Sequence, residues 1–144
     1  MPTASNLLIR KAKQSIFSLH PRNTALDAAR IMNEQSIGSV LVMDGANLQG
    51  IFTERDMLRR VVVERRDPSE VRLEEVMTSP VACAAPDTTL DELRMVVKNR
   101  RIRHLPVVDG QSVIGVISIG DLNIAEAESQ EQTIRYLSHY LNVP

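Results

Sequence analysis

Gly50-Ile51-Phe52-Thr53-Glu54-Arg55-Asp56 returns further along the chain as Gly115-Val116-Ile117-Ser118-Ile119-Gly120-Asp121. Both stretches read Gly-h-h-[Ser/Thr]-x-x-Asp, where h is apolar. The shift that superposes them, 65 residues from Gly50 to Gly115, also aligns 16–57 with 81–122 without a gap. Eight of those 42 positions are identical: the pairs 21/86, 24/89, 37/102, 42/107, 44/109, 45/110, 50/115 and 56/121. Ordinary composition gives about 6% matches per position, so roughly two or three would arise by chance. The differences are also mild, as in Ile16/Val81, Ile51/Val116, Thr53/Ser118 and Met57/Leu122. The chain is an internal duplication.

Each copy carries the same punctuation. A short apolar stretch (Ile16–Leu19; Val81–Ala84) precedes Pro21 or Pro86. A helix start follows: Thr89-Leu90-Asp91-Glu92 has the capping-box pattern, and Thr24-Ala25-Leu26-Asp27 a weaker form of it. Apolar residues then recur at helical spacing (Ala25, Ala28, Met32; Leu90, Leu93, Val97). Two apolar strands flank an Asp-Gly turn at 44–45 and at 109–110. A second helix starts at Thr53 or Ser118. Each unit is therefore β-α-β-β-α, and the fold class is α+β, with two such units packed about a pseudo-twofold axis.

The expected boundaries are 7–66 for the first repeat, 67–80 for a charged, proline-bearing linker, and 81–125 for the second repeat. An amphipathic helix over 126–144 follows, with Ile134, Leu137 and Leu141 at helical spacing. Neither repeat is long enough to bury a good core alone.

Composition narrows the function. The 144 residues are 43% hydrophobic and 24% charged, with formal net charge -1, as in an ordinary soluble domain. That balance gives no global pull toward nucleic acid or anionic lipid. With two Phe, two Tyr and no Trp, stacking surfaces for single strands are scarce. No apolar run approaches the ~20 residues that cross a bilayer, and the N-terminus lacks a signal-peptide layout. The lone Cys83 builds no disulfide framework, so a cytoplasmic setting is the default. His20, His104 and His139 have no metal-ligand spacing with one another or with Cys83, so no metal site is expected. No P-loop, GxGxxG or GxSxG occurs, which argues against an enzyme. Arg59, Arg60, Arg65 and Arg66, broken by Val61-Val62-Val63 and Glu64, read as a solvated helix face.

The repeated motif admits two interpretations. In one, Thr53 and Ser118 are helix N-caps, and Asp56 and Asp121 complement the helix dipole from N3. In the other, the helix N-terminus and hydroxyl hold a phosphate, and the carboxylate accepts both hydroxyls of a ribose diol. The glycine in the preceding strand lets a ligand or another backbone approach. Recurrence of all three elements favours function.

These residues resemble tandem CBS (cystathionine beta-synthase) domains, the Bateman module. Pro-x-x-Thr (Pro21, Thr24; Pro86, Thr89), the strands Ile37–Val42 and Ile102–Asp109, the two Gly-to-Asp motifs and Val76-Met77-Thr78 carry the likeness. The resemblance implies a regulatory, non-catalytic module that binds adenosine-containing ligands in two clefts between the repeats. AMP is the first expectation, then ATP or ADP, NAD and S-adenosylmethionine.

By the same resemblance Asp56 and Asp121 bind ribose, and Thr53 and Ser118 help bind phosphate or ribose. Adenine would lie against Ile16, Ser18, Ile37, Gly38 and Val40 in one cleft, and against Val81, Cys83, Ile102 and Leu105 in the other. Arg103 and His104 match phosphate-contacting positions, and Arg55 is a further candidate. The resemblance also implies a homodimer formed through helices and a separate, unnamed regulated protein. The competing expectation is a dimeric interaction scaffold with vestigial sites.

Overall fold

The computed structural model describes residues 2–10 and 16–141; the side chains of Ile134, Leu137 and Leu141 lie outside the described residues. A short helix α1 (Ala4–Arg10) leads into the first repeat: β1 (Ser18–Leu19), α2 (Ala25–Gln35), β2 (Ser39–Asp44), β3 (Asn47–Thr53) and α3 (Glu54–Asp56). Helix α3 runs on without interruption as a π-helical stretch, Met57–Val62. A short α4 (Leu73–Val76) precedes the second repeat: α5 (Leu90–Arg100), β4 (His104–Asp109), β5 (Ser112–Ser118) and α6 (Ile119–Leu141). The second helix of that repeat and the expected terminal helix are thus one continuous element.

The hairpins repeat in detail. β2 and β3 pair antiparallel from Ser39↔Thr53 to Asp44↔Asn47, with a register shift between Val42 and Met43. β4 and β5 pair from His104↔Ser118 to Asp109↔Ser112, with the shift between Val107 and Val108. Gly45 and Gly110 turn the hairpins at φ 61° and 63°, where a side chain would be strained.

The repeats diverge at their first strand. In the first, β1 pairs parallel to β2 (Ser18↔Leu41, Leu19↔Val42), and the Leu41 N–H donates to Phe17 O. In the second, Val81–Ala84 was expected to match it, but only a single bridge forms, Ala84↔Val107. Pro106 occupies the place of Leu41 and has no N–H to give, so the ladder is a bond short.

Helix caps also depart from expectation. The complete capping box forms in the first copy: Thr24 Oγ1 accepts from the Asp27 N–H (3.1 Å), and Asp27 Oδ2 accepts from the Thr24 N–H (2.9 Å). In the second copy Thr89 Oγ1 accepts from the Glu92 N–H (3.2 Å).

Each core is completed by a segment that precedes the other repeat. Ala4, Leu7 and Leu8 of α1 are buried with Leu90, Leu93, Leu105 and Ile117 of the second repeat. Val71, Leu73 and Val76 are buried with Ala28, Val42 and Phe52 of the first. Residues 67–80, expected as a linker, therefore supply core. The two dockings use matching bonds. Leu73 N donates to Asn23 O and Glu74 N to Pro21 O; Ala4 N donates to Thr88 O and Ser5 N to Pro86 O. The reciprocal exchange ties the repeats into one body.

The motif glycines are the landing points. A Cβ at Gly50 would lie 2.5 Å from Met77 Sδ and 2.9 Å from the Thr78 carbonyl oxygen. A Cβ at Gly115 would lie 2.6 Å from a Leu8 methyl carbon. Of the two roles the sequence allowed these glycines, close approach of another segment is the one realised at both.

Candidate functional site

The repeats enclose a cleft of about 1560 Å³ lined from both sides. Local structure explains its shape. Thr53 ends β3 and caps α3 with a complete box: its Oγ1 accepts from the Asp56 N–H (3.2 Å) and its N–H donates to Asp56 Oδ2 (3.1 Å). The Glu54 N–H donates to Gly38 O, and its counterpart Ile119 N–H donates to Arg103 O. These bonds pin each second helix to the entry of its own hairpin, so the helix starts face the cleft in pseudosymmetric positions.

The apolar wall includes Ile16, Phe17, Ile37, Leu41 and Ile102, and Thr53 and Ser118 are among its hydroxyls. Its charge is strongly positive. Six arginines line it (Arg55, Arg59, Arg60, Arg100, Arg101, Arg103), against two carboxylates, Glu54 and Asp56. Such a concave cationic surface raises the local concentration of anions.

Asp56 is the buried carboxylate of the site, 6% exposed. Besides the Thr53 N–H, it accepts from Thr78 Oγ1 through both oxygens (3.0 and 3.1 Å), and Arg60 Nε lies 3.8 Å away. Arg60 also donates to the carbonyls of Val76 and Met77. Asp56 and Arg60 together therefore grip the segment that enters the second repeat. Gly38 sits where a Cβ would meet Glu54 Oε1 (2.7 Å) and His104 Nε2 (3.0 Å), so its lack of a side chain lets these two groups, one from each repeat, converge.

The cleft brings together ten of the expected residues: Ile16, Ile37, Gly38, Thr53, Arg55 and Asp56 from the first repeat, and Ile102, Arg103, His104 and Ser118 from the second. Six others are placed elsewhere. Val40 and Leu105 are 1% exposed and belong to the two cores rather than to a cleft wall. Strand alternation is the reason: on β2, Ser39 and Leu41 face the cleft while Val40 and Val42 face the helices. Ser18, Val81 and Cys83 are not in its lining, so the expected second adenine wall is not assembled around it. Asp121 is not in the lining either. It caps α6, accepting from the Ser118 N–H (2.8 Å) while its own N–H donates to Ser118 Oγ (3.2 Å).

Sequence reasoning passed over Thr78, Arg59, Arg60, Ser39 and Leu41. The two strand residues follow from period two once Val40 is seen to be core. Arg59 and Arg60, expected on a solvated face, turn into the cleft. Cys83 is exposed; partial desolvation of its sulfur pushes the thiol above its ordinary value. Among the described residues no group of three or more His, Cys, Asp or Glu could hold a metal ion, and no helix is long and apolar enough to cross a membrane.

Residues 9–63 and 73–128 each match the CBS domain family. The chain belongs to that family. It carries two CBS domains in tandem, a regulatory ligand-binding module. The Bacillus subtilis protein YhcV, also described as CBS domain-containing, is 27% identical over 126 residues, covering 86% of this chain and 89% of YhcV. The mitochondrial CBSX3 of Arabidopsis thaliana is 29% identical over 124 residues, but this chain spans only 60% of its length. Among solved structures, one from Burkholderia ambifaria described as a signal-transduction protein with CBS domains superposes with TM-score 0.85 at 38% identity. That match covers 90% of this chain and 96% of the other. The CBS domain pair of protein MJ0100, solved with 5'-methylthioadenosine and S-adenosyl-L-methionine, shares the fold at TM-score 0.77 and 22% identity, over 89% of this chain and 98% of that one.

Proposed function

We propose that this CBS pair senses a phosphate-bearing adenosine nucleotide in the cleft between its repeats and signals to a separate partner protein. One observation carries the reading: the cleft combines an apolar wall, a buried carboxylate and six arginines. Adenine fits against Ile16, Ile37 and Ile102. Phosphate is neutralised by Arg55 and Arg103. The Asp56 carboxylate takes the ribose hydroxyls, each such bond contributing roughly 1.5–3 kcal/mol.

Adenosine ligands fit the family, and MJ0100 holds two of them. The arginines favour a phosphate over the cationic sulfonium of S-adenosylmethionine. Ribose hydroxyls at Asp56 would displace the Thr78 hydroxyl from it, which links occupancy to the segment that enters the second repeat. Exposed Leu58, Val62, Met95 and Ile124 on the helices offer an apolar surface for a homodimer. Ligand shifts the equilibrium between arrangements by differential affinity.

A second reading rests on the same carboxylate. Asp56 already accepts from Thr53 and Thr78, as a purely structural cap in an interaction scaffold would. Calorimetric titration of nucleotide-stripped protein with AMP, ATP, NAD, S-adenosylmethionine and GMP separates the two. The sensor predicts saturable binding of an adenosine nucleotide, with GMP silent, and loss of that binding in a folded Asp56→Ala variant. Silence from every nucleotide supports the scaffold, and unchanged binding in the variant would overturn the assignment of the ribose to Asp56.

A further inference from the structure

A second concavity of about 560 Å³ opens between α5 and α6 of the second repeat, with Arg55 of the first repeat also in its lining. Its walls are two matching helical stripes. Arg94, Val97, Lys98 and Arg101 recur at i, i+3, i+4 and i+7 along α5 and its C-cap. Ile119, Leu122, Asn123 and Glu126 recur at the same spacing along the start of α6. Residues so spaced share one helix face, so the two stripes confront each other across the groove.

The groove is cationic. Arg55, Arg94, Lys98, Arg101 and Arg103 line it, against the single carboxylate Glu126. The local ion pairs are long: Arg94 lies 3.7 Å from Asp91 and 3.8 Å from Glu126. Its Nε is buried and has no hydrogen-bond partner among the described residues, although a buried donor ordinarily finds one. The groove borders the central cleft: Arg55, Arg101, Ile102, Arg103 and Ile119 line both.

From the charge, the shared arginines and the orphaned Arg94 donor, we infer that the α5/α6 groove is a polyphosphate subsite. It receives the distal phosphates of a nucleotide whose nucleoside end sits in the central cleft. The last part rests on the function proposed above; the affinity of the groove for a phosphate chain does not. Arg55, Arg101 and Arg103 lie at the junction and hold the proximal phosphates. Arg94 and Lys98, which line the groove alone, hold the distal ones. Guanidinium groups suit phosphate oxygens because two parallel N–H donors meet two acceptors. The consequence is discrimination by phosphate number: a triphosphate reaches Arg94 and Lys98, and a monophosphate does not.

The test is titration of wild-type protein and the Arg94→Ala/Lys98→Ala double variant with AMP, ATP and inorganic tripolyphosphate, in magnesium-free buffer. In wild type, ATP binds tighter than AMP and tripolyphosphate binds by itself. In the variant, ATP and tripolyphosphate weaken about tenfold or more, the size of one lost charge-assisted contact. AMP is unchanged, which also shows that the variant folds. The charge-retaining Arg94→Lys/Lys98→Arg protein recovers most of the lost affinity.

Equal changes for ATP and AMP, no change for ATP, or no tripolyphosphate binding to wild type would each overturn the subsite. Failure of AMP and ATP together, with tripolyphosphate binding present and lost in the variant, would instead refute the nucleotide reading of the cleft while upholding the groove.

Discussion

Adding one methyl group at each motif glycine gives two different expected outcomes, although the two positions are equivalent in sequence. At Gly50 the new Cβ would meet Met77 Sδ at 2.5 Å and the Thr78 carbonyl oxygen at 2.9 Å. The thioether can swing away, but the carbonyl cannot. It accepts from the Ile51 N–H at 3.0 Å, and the Thr78 N–H returns a bond to Ile51 O at 2.8 Å, so its retreat would stretch both. At Gly115 the three atoms nearest the new one are side-chain carbons of Leu8, at 2.6 to 3.3 Å. Leu8 meets it with the methyl end of a side chain rather than with hydrogen-bonded backbone.

Overpacking costs about 1–3 kcal/mol. Replacing a strand glycine by alanine returns about 0.5–1 kcal/mol. With the overpacking cost at the upper end of its range, Gly50→Ala should therefore lose about 2 kcal/mol net, and Gly115→Ala less than about 1 kcal/mol. Urea unfolding followed by circular dichroism, at one fixed protein concentration, reads both values. Equal losses, or the larger loss at Gly115, would refute the argument that backbone contact sets the difference.

Two further expectations come from the polar network. Thr78→Val keeps the side-chain volume but removes the hydroxyl that Asp56 accepts from, and should cost about 1–3 kcal/mol in the same assay; no loss would mean that water or Arg60 replaces the bond. Asp27 has its carboxyl held below the ordinary value of 3.8, first by the Thr24 N–H and then by hydrogen bonds from Asn23 and Thr24 against a desolvation that raises it. A depressed folded pKa stabilises above the unfolded value and ceases to as pH falls through the folded one. Wild type should therefore exceed Asp27→Ala by about 0.3–1 kcal/mol near neutrality, a gap that narrows as pH falls through the folded pKa. A gap independent of pH would show that the carboxylate charge plays no part.

The duplication, the β-α-β-β-α order, the Asp-Gly hairpins and the helix caps were legible in sequence because each depends on residues close together in the chain. Thr24 and Asp27 find each other whatever lies above them, and so do Thr53 and Asp56. Gly45 and Gly110 need only the turn they occupy. Ten residues of the cleft came from the resemblance to CBS pairs, laid residue by residue onto that local pattern.

It misplaced Val40 and Leu105, because period two tells which residues share a face but not which face meets the cleft. It expected a strand at Val81–Ala84, where Pro106, on another strand, withholds the bond. Local pattern also could not show that residues 2–8 complete the second repeat while 71–77 complete the first. Nor could it show that Thr78 and Arg60 meet at Asp56, or that arginines from both repeats converge on one cleft. Those are contacts between residues far apart in sequence, created when each repeat, too small to bury its own core, borrows from the other. Sequence by itself determined the units and their chemistry. The tertiary structure decided what they share, because apolar surface left over by one half can be buried only by the other.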